Sequence, residues 1–171
     1  MILRGELMIG VISDSHMPRL SKGGLPQEVK NGLQGVDMIL HAGDILEESV
    51  LKDLEQIAPV YAVYGNCDPA SLREKLPMKR VVEYKGFKIG MCHGNSPISG
   101  RIGKLLDTFA ADEVDAIVYG HSHKPHNDRI NDILIFNPGS PTDKRFEVYY
   151  SYGIISINQD KLVGKVKYFK K

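Results

Sequence analysis

The chain has 171 residues, 42% hydrophobic and 25% charged, with a formal net charge of +1. That length suits one domain with a sizeable core, and the balanced charge argues against bulk nucleic acid as a partner. Cys67 and Cys92, the only cysteines, form no disulfide framework, and the apolar run "LMIGVIS" is too short to cross a membrane, so a cytoplasmic protein is expected.

Met8 opens the first strand pattern, so residues 1–7 read as a dispensable extension of a single domain spanning 1–171. Six short apolar runs follow one another: "MIGVIS", "DMILHAG", "VYAVYG", "FKIGMC", "AIVYG" and "ILIFN". Rich in Val, Ile and Tyr and stopped by Gly, Pro, Asn or Asp, they read as buried strands. Between them lie helical patterns over 26–34, 47–58 and 100–113. In the second, Val50, Leu51, Leu54 and Ile57 recur at helical spacing behind an acidic first turn. Strand alternating with helix argues for an α/β fold. "RVVEYKGFKIGMCHG" reads as a hairpin turning at Lys85-Gly86. From Ile133 onward the pattern is successive strands, "ILIFN", "FEVYYSYGIISIN" and "LVGKVKYF", with turns at Gly153 and near Gln159-Asp160. A parallel half followed by an antiparallel half suits two packed sheets with helices outside.

The ends of the early strands carry the chemistry. They are Asp14 and His16 in "SDSH", Asp44 in "AGD", Asn66 in "GNCD", His93 in "CHG", and His121 with His123 in "GHSH". In an extended or tightly turned segment, side chains at i and i+2 point the same way, so the His121 and His123 imidazoles should project into one place. In open α/β sheets, ligands bind outside the carboxyl ends of the strands. Carboxylate, amide and imidazole without thiolate suit Mn²⁺ first, with Ni²⁺, Fe²⁺, Zn²⁺ or Mg²⁺ as alternatives. Seven donors exceed one tetrahedral ion and suit two ions sharing a bridge, an arrangement that holds ions about 3.5–4 Å apart for in-line displacement at phosphorus. Two divalent ions outweigh Asp14, Asp44 and one hydroxide, which leaves positive charge for a phosphate.

The order D-x-H, GD, GNxD, HG, GHxH resembles the calcineurin-like metallophosphoesterase superfamily, and "GNCD" in a short chain resembles its small YfcE-type phosphodiesterase branch. The resemblance implies a four-layer sandwich of two mixed β-sheets flanked by helices. It places Asp14, His16 and His123 on one metal and Asn66, His93 and His121 on the other, with Asp44 bridging. It also implies Asp44, Asn66 and His93 as the catalytic side chains, and attack on phosphorus by a metal-bridging hydroxide. The substrate would be a small phosphodiester, nucleotide-like or otherwise, and a homo-oligomer stays open. "NPGSP" at 137–141 is expected to be a structural turn beside the site. One departure stands out: larger phosphatases carry histidine where this chain has Cys67, so an evident proton donor for the leaving group is missing. A rival reading is a metal-binding scaffold for protein contacts, related in fold to a retromer subunit. That reading does not require a complete ligand set, and here every ligand position is filled.

Other residues are weighed individually. His41 reads as a buried histidine or a partner of a ligand, His126 as an exposed loop residue, and Cys92 as core. Asp68 either orients Asn66 or caps the following helix. Tyr149, Tyr150 and Tyr152 read as strand residues packing across neighbours. "GNSPISGRIGK" lacks the spacing of a phosphate-binding P-loop, yet Asn95, Ser96 and Arg101 are candidates to meet substrate because they directly follow His93.

Overall fold

In a computed structural model, residues 7–17, 24–94 and 102–170 are described. The early strands are β1 (Met8–Ile12), β2 (Met38–His41) and β3 (Val60–Ala62). They alternate with α1 (Gln27–Gly32) and α2 (Glu48–Glu55), and α3 (Ala70–Arg73) follows. β4 (Lys79–Tyr84), β5 (Phe87–Cys92), α4 (Ile102–Phe109), β6 (Ala116–Val118), β7 (His126–Ile130) and β8 (Ile133–Asn137) come next, and β9 (Tyr150–Asn158) and β10 (Lys161–Phe169) close the chain.

The strands form two five-stranded sheets, ordered β10-β9-β1-β2-β3 and β4-β5-β6-β8-β7. In the first, β1, β2 and β3 are parallel, and the β9-β10 hairpin adds antiparallel to β1. In the second, β5, β6 and β8 are parallel, with β4 and β7 antiparallel at the edges. The parallel and antiparallel parts therefore do not divide the chain into halves as the sequence suggested. Each sheet has a parallel centre, and the C-terminal hairpin returns to the first.

Period-two alternation builds the layers. Ile9 and Val11 of β1, with Met38 and Leu40 of β2, face the second sheet and pack with Ile89, Met91, Val118 and Phe136. Their neighbours Ile12 and Ile39 face outward, where Val29 of α1, Val50 and Leu54 of α2 and Leu72 of α3 cover them. On the far side, Leu105 and Phe109 of α4 cover Ile117 and Ile135. The result is helices, sheet, sheet, helix: the expected four-layer sandwich of two mixed sheets. No described helix is long and apolar enough to cross a membrane.

Turn chemistry is legible in the Lys85-Gly86 hairpin, where φ is 51° and 88°, the mirror-image turn that matches strand twist. Gln159 and Asp160, with φ of 46° and 59°, turn the last hairpin in the same way. Four expectations fail. Gly153 is not a turn but the middle of β9, opposite Val11 and Val166. Residues 146–149 are not strand, and Phe146 is fully exposed. β7 replaces an expected loop, so His126 lies on a strand, where it pairs with Asn137. The helices are also shorter than their patterns.

Gly153 is glycine for room. A Cβ there would sit 2.3 Å from the Phe136 ring, which reaches across from the other sheet. Gly153→Ala should therefore cost about 1–3 kcal/mol by overpacking, measured by urea unfolding. Adding Phe136→Leu should cost less in that background than in wild type, because the two changes share one contact.

Candidate metal centre

Asp14, His16, Asp44, Asn66, His93, His121 and His123 follow the carboxyl ends of β1, β2, β3, β5 and β6. Three of these strands belong to one sheet and two to the other, so the side chains meet at the seam between the sheets. Beyond the last ladder bond, the exits of β1 and β2 stay paired: Asp14 N–H donates to the Gly43 carbonyl and His16 N–H to that of Asp44, each at 3.0 Å. The "NPGSP" turn holds the neighbouring backbone as expected. Ser140 Oγ donates to the Asp14 carbonyl at 2.8 Å, and Asn137 Nδ2 donates to that of Gly120 at 2.9 Å.

Five of the seven donors adopt left-handed backbone: Asp14, His16, Asp44, His121 and His123, with φ between 44° and 68°. Backbone of this kind in non-glycine residues clusters at functional sites. In "GHSH" it makes the segment turned, one of the two expected forms, but it overturns the expectation that both imidazoles project into one place. His121 Nδ1 lies 3.0 Å from Asn66 Oδ1, whereas His123 Nε2 lies 3.2 Å from His16 Nε2 and 3.4 Å from Asp14 Oδ1. The two imidazoles therefore serve two different groups of side chains. Gly120 permits the turn: a Cβ there would fall 1.8 Å from Ser13 Oγ and 2.7 Å from Asp14 Oδ2.

Each buried carboxylate divides its oxygens. Asp14 Oδ2 accepts from Ser13 Oγ at 2.7 Å and His121 N–H at 2.9 Å. Its Oδ1 shares the His121 N–H more distantly, at 3.2 Å, and faces Nε2 of His123, His93 and His16 at 3.4, 3.7 and 3.9 Å. Asp44 Oδ1 accepts from Cys67 N–H at 2.8 Å, while Oδ2 lies 3.2 Å from His93 Nε2 and 3.6 Å from His16 Nε2. Asp44 thus stands between the His16 and His93 sides, and Asp14 Oδ1 also reaches both.

The histidines are oriented from behind. His93 Nδ1–H donates to the Ala42 carbonyl and His123 Nδ1–H to that of Asp143, both at 2.6 Å, which turns each Nε2 inward. His93 Nε2 is buried without a hydrogen-bond partner. His41 sits behind the centre, fully buried: Gly43 N–H donates to its Nδ1, so Nε2–H donates to Ser15 Oγ at 2.9 Å. Burial pushes His41 down to about 4, which keeps it neutral.

The charges follow from the same contacts. Burial alone would raise the Asp14 carboxyl, but its bond with His123 and the charges of His93 and His123 bring it below the usual range. Burial works in the same direction on Asp44, and the His93 contact and Cys67 N–H outweigh it. Burial lowers all four facing histidines; the carboxylates reverse this at His93 and His123 but not at His16 and His121. The Cys67 thiol is pushed up to about 11 by burial and by Asp44. Ionised carboxylate oxygens and inward imidazole nitrogens, one of them orphaned, fit a divalent cation that takes the place of the shared protons. Asp14, His16 and His123 form one compact group able to hold an ion, and Asp14, Asp44 and His93 another.

Asp68, Asp143, Ser15 and Thr142 complete the surroundings. Of the two roles expected for Asp68, the helix cap is not seen, while Asn66 is reached only through the Gly65 backbone. Its carboxylate accepts from the backbone N–H groups of Asp44, Ile45, Leu46 and Gly65 at 2.7–3.0 Å. Its place in "GNCD" was the only signal, and Asp143 had none beyond a polar run. Thr142 Oγ1 donates to the Ser15 carbonyl. Cys92 is core, as expected. Asn95, Ser96 and Arg101 lie outside the described residues.

Residues 7–160 match the calcineurin-like phosphoesterase superfamily domain. A probable metallophosphoesterase of Methanocaldococcus jannaschii is 40% identical over 146 residues, covering 84% of this chain and 73% of that one. A phosphodiesterase of the same organism is 27% identical over 147 residues, covering 78% and 83%. Among solved structures, zinc-complexed Vps29 from Entamoeba histolytica superposes with a TM-score of 0.78 at 24% identity, covering 95% of this chain and 98% of that one. The chain belongs to the calcineurin-like phosphoesterase superfamily.

Asp68→Ala should orphan several buried N–H groups and cost at least about 3 kcal/mol, since each unsatisfied buried donor costs about 1–3 kcal/mol. It should also weaken Mn²⁺ binding by about 10–100-fold. Urea unfolding and isothermal titration of the chelator-treated protein check both expectations.

Proposed function

We propose that this protein is a metal-dependent phosphodiesterase whose seven side chains hold two divalent cations, Mn²⁺ being the preferred activator. The observation that carries this reading is the division of labour at Asp14 and Asp44. Each anchors one oxygen on protein donors and turns the other toward histidine nitrogens that are themselves fixed from behind. Asp14, His16 and His123 serve one ion, and Asn66, His93 and His121 the other, with Asp44 shared. Divalent cations bound there supply positive charge against phosphate oxygens and make water nucleophilic at neutral pH.

The chain's own residues set the rest. Asp14, His16, Asp44, His93 and His123 are all buried, so the donor set is shielded from behind. Asn66 is exposed and His121 half-buried, which marks the side from which a phosphodiester approaches. Among the described residues, Asp14 and Asp44 turn carboxylate oxygens into the donor cluster and Asp143 stands behind His123, so two bound cations would retain net charge for an anionic substrate. Cys67 N–H steadies Asp44, while the thiol, at the position where larger phosphatases carry histidine, is a weak acid. Activated esters are therefore the favoured substrates.

A second reading, a protein-contact scaffold, draws on the likeness to Vps29, which concerns the fold, and on exposed Phe146 and Val148. Such a scaffold does not need the complete, pre-oriented donor set found here.

Metal analysis after saturation with Mn²⁺ should find about two ions per chain, the stoichiometry of bridged sites; one ion or none rejects the two-ion reading. Asp44→Asn should retain the fold by circular dichroism and lower kcat on bis(4-nitrophenyl) phosphate by at least about 100-fold, the scale of losing a key electrostatic group.

Cys67→His should help poor leaving groups more than good ones, because general acid catalysis is worth about 10²–10⁴ where protonation limits the rate. Equal factors on an aryl and an alkyl diester would remove the missing-acid argument.

A further inference from the structure

A cavity of about 270 Å³ begins at His121, on the open side of the donor cluster. Ile102 and Leu105 of α4, the Tyr119 ring and Pro125 line it, and His121 and His126 are among its polar members. Its shape is fixed by a contact the metal centre does not use. The Tyr119 hydroxyl lies 2.8 Å from His126 Nδ1, and the two rings meet edge to face, 76° apart with centroids separated by 6.1 Å. Leu105 is buried and anchored in the cluster beneath α4, and Ile102 packs against the same cluster.

Three features identify the occupant. The cavity is continuous with His121, so whatever fills it is attached to, or next to, the group held at the donor cluster. It falls just below the roughly 300–1,000 Å³ of ordinary ligand pockets, which is room for one ring system rather than a large molecule. Its walls are mainly aliphatic and aromatic, a surface that rewards a flat apolar group by dispersion and offset or edge-on ring contact. We propose that this cavity receives an aromatic ester group of the phosphodiester, and that Ile102 and Tyr119 select for it. The proposal rests on the phosphodiesterase reading above and narrows it to aryl-bearing diesters, including those whose ring is a nucleobase.

The test separates the two readings. Ile102→Trp places bulk in the cavity from a half-buried position at the start of α4, and Ile102→Phe does the same with less. Rates on bis(4-nitrophenyl) phosphate and bis(2,2,2-trifluoroethyl) phosphate are compared for wild type and both variants, so that intrinsic ester reactivity cancels in the ratio of ratios. Ile102→Trp should shift the kcat/KM ratio about tenfold toward the alkyl diester, the low end of what an apolar pocket discriminates. The shift should appear mainly in KM, with Ile102→Phe intermediate. An unchanged ratio, or equal loss on both esters, overturns the proposal. Independently, 4-nitrophenol titrated into the chelator-treated wild type should perturb the NMR signals of the Tyr119 and His126 rings, and do so more weakly in Ile102→Trp. Binding seen there, with neither diester cleaved by the metal-loaded wild type, rejects the phosphodiesterase reading while the ring site stands. No perturbation at either ring rejects the ring site, whatever the rates.

Discussion

Four backbone N–H groups converge on the Asp68 carboxylate, and the position of Asp44 depends on them. The segment after β2 doubles back with left-handed backbone at Asp44 and again at Leu46, whose φ is 79°. Leucine has no local side-chain hydrogen bond to favour that conformation, and sparsely populated backbone of this kind costs about 1–3 kcal/mol per residue. Hydrogen bonds to a charged acceptor are worth about 1.5–3 kcal/mol each and offset it. Asp68 also accepts from Gly65, just ahead of Asn66. One buried carboxylate thereby fixes the relative placement of the β2 and β3 exits, and with them two of the candidate ligands.

The second requirement is electrostatic. Asp14 and Asp44 are buried carboxylates that face the same histidines, and like charges so placed would ordinarily favour one protonated partner. Both instead stay ionised, because each is met by N–H donors on one oxygen and by imidazole on the other. His41 contributes by staying neutral: a second positive charge behind the cluster would compete with any cation in front of it. The pairing of Ser15, His41 and Gly43 is thus a way to fill a polar cavity without adding charge.

Much of this was legible in the sequence, for reasons that differ from element to element. β1, β2 and β6 are short runs stopped by Gly or by polar residues, and they were read within a residue or two because burial on both faces demands that pattern. The donor set was legible because side chains at strand ends share one rim once the strands are parallel. β7 was not: "HNDRI" is polar, as an edge strand with solvent on one side can be, and the Asn131-Asp132 turn, with φ of 49° and 64°, was the overlooked signal. Gly153 misled because a glycine inside a strand pattern marks a turn or a close approach equally well, and only Phe136 on the other sheet decides between them. Asp68 and Asp143 act on distant backbone, which no local spacing records.

The seam location of the centre has a further meaning for the life of the chain. Asp14 and His123 stand 109 positions apart in sequence, yet His123 Nε2 lies 3.4 Å from Asp14 Oδ1. An ion held between them would tie the first strand of one sheet to the third strand of the other, as a cross-link closing most of the chain into a loop. Such a cross-link can form only after residue 123 has been made and the two sheets have met. Loading at that pair would therefore follow the meeting of the two sheets, and an ion held there would report that they have come together.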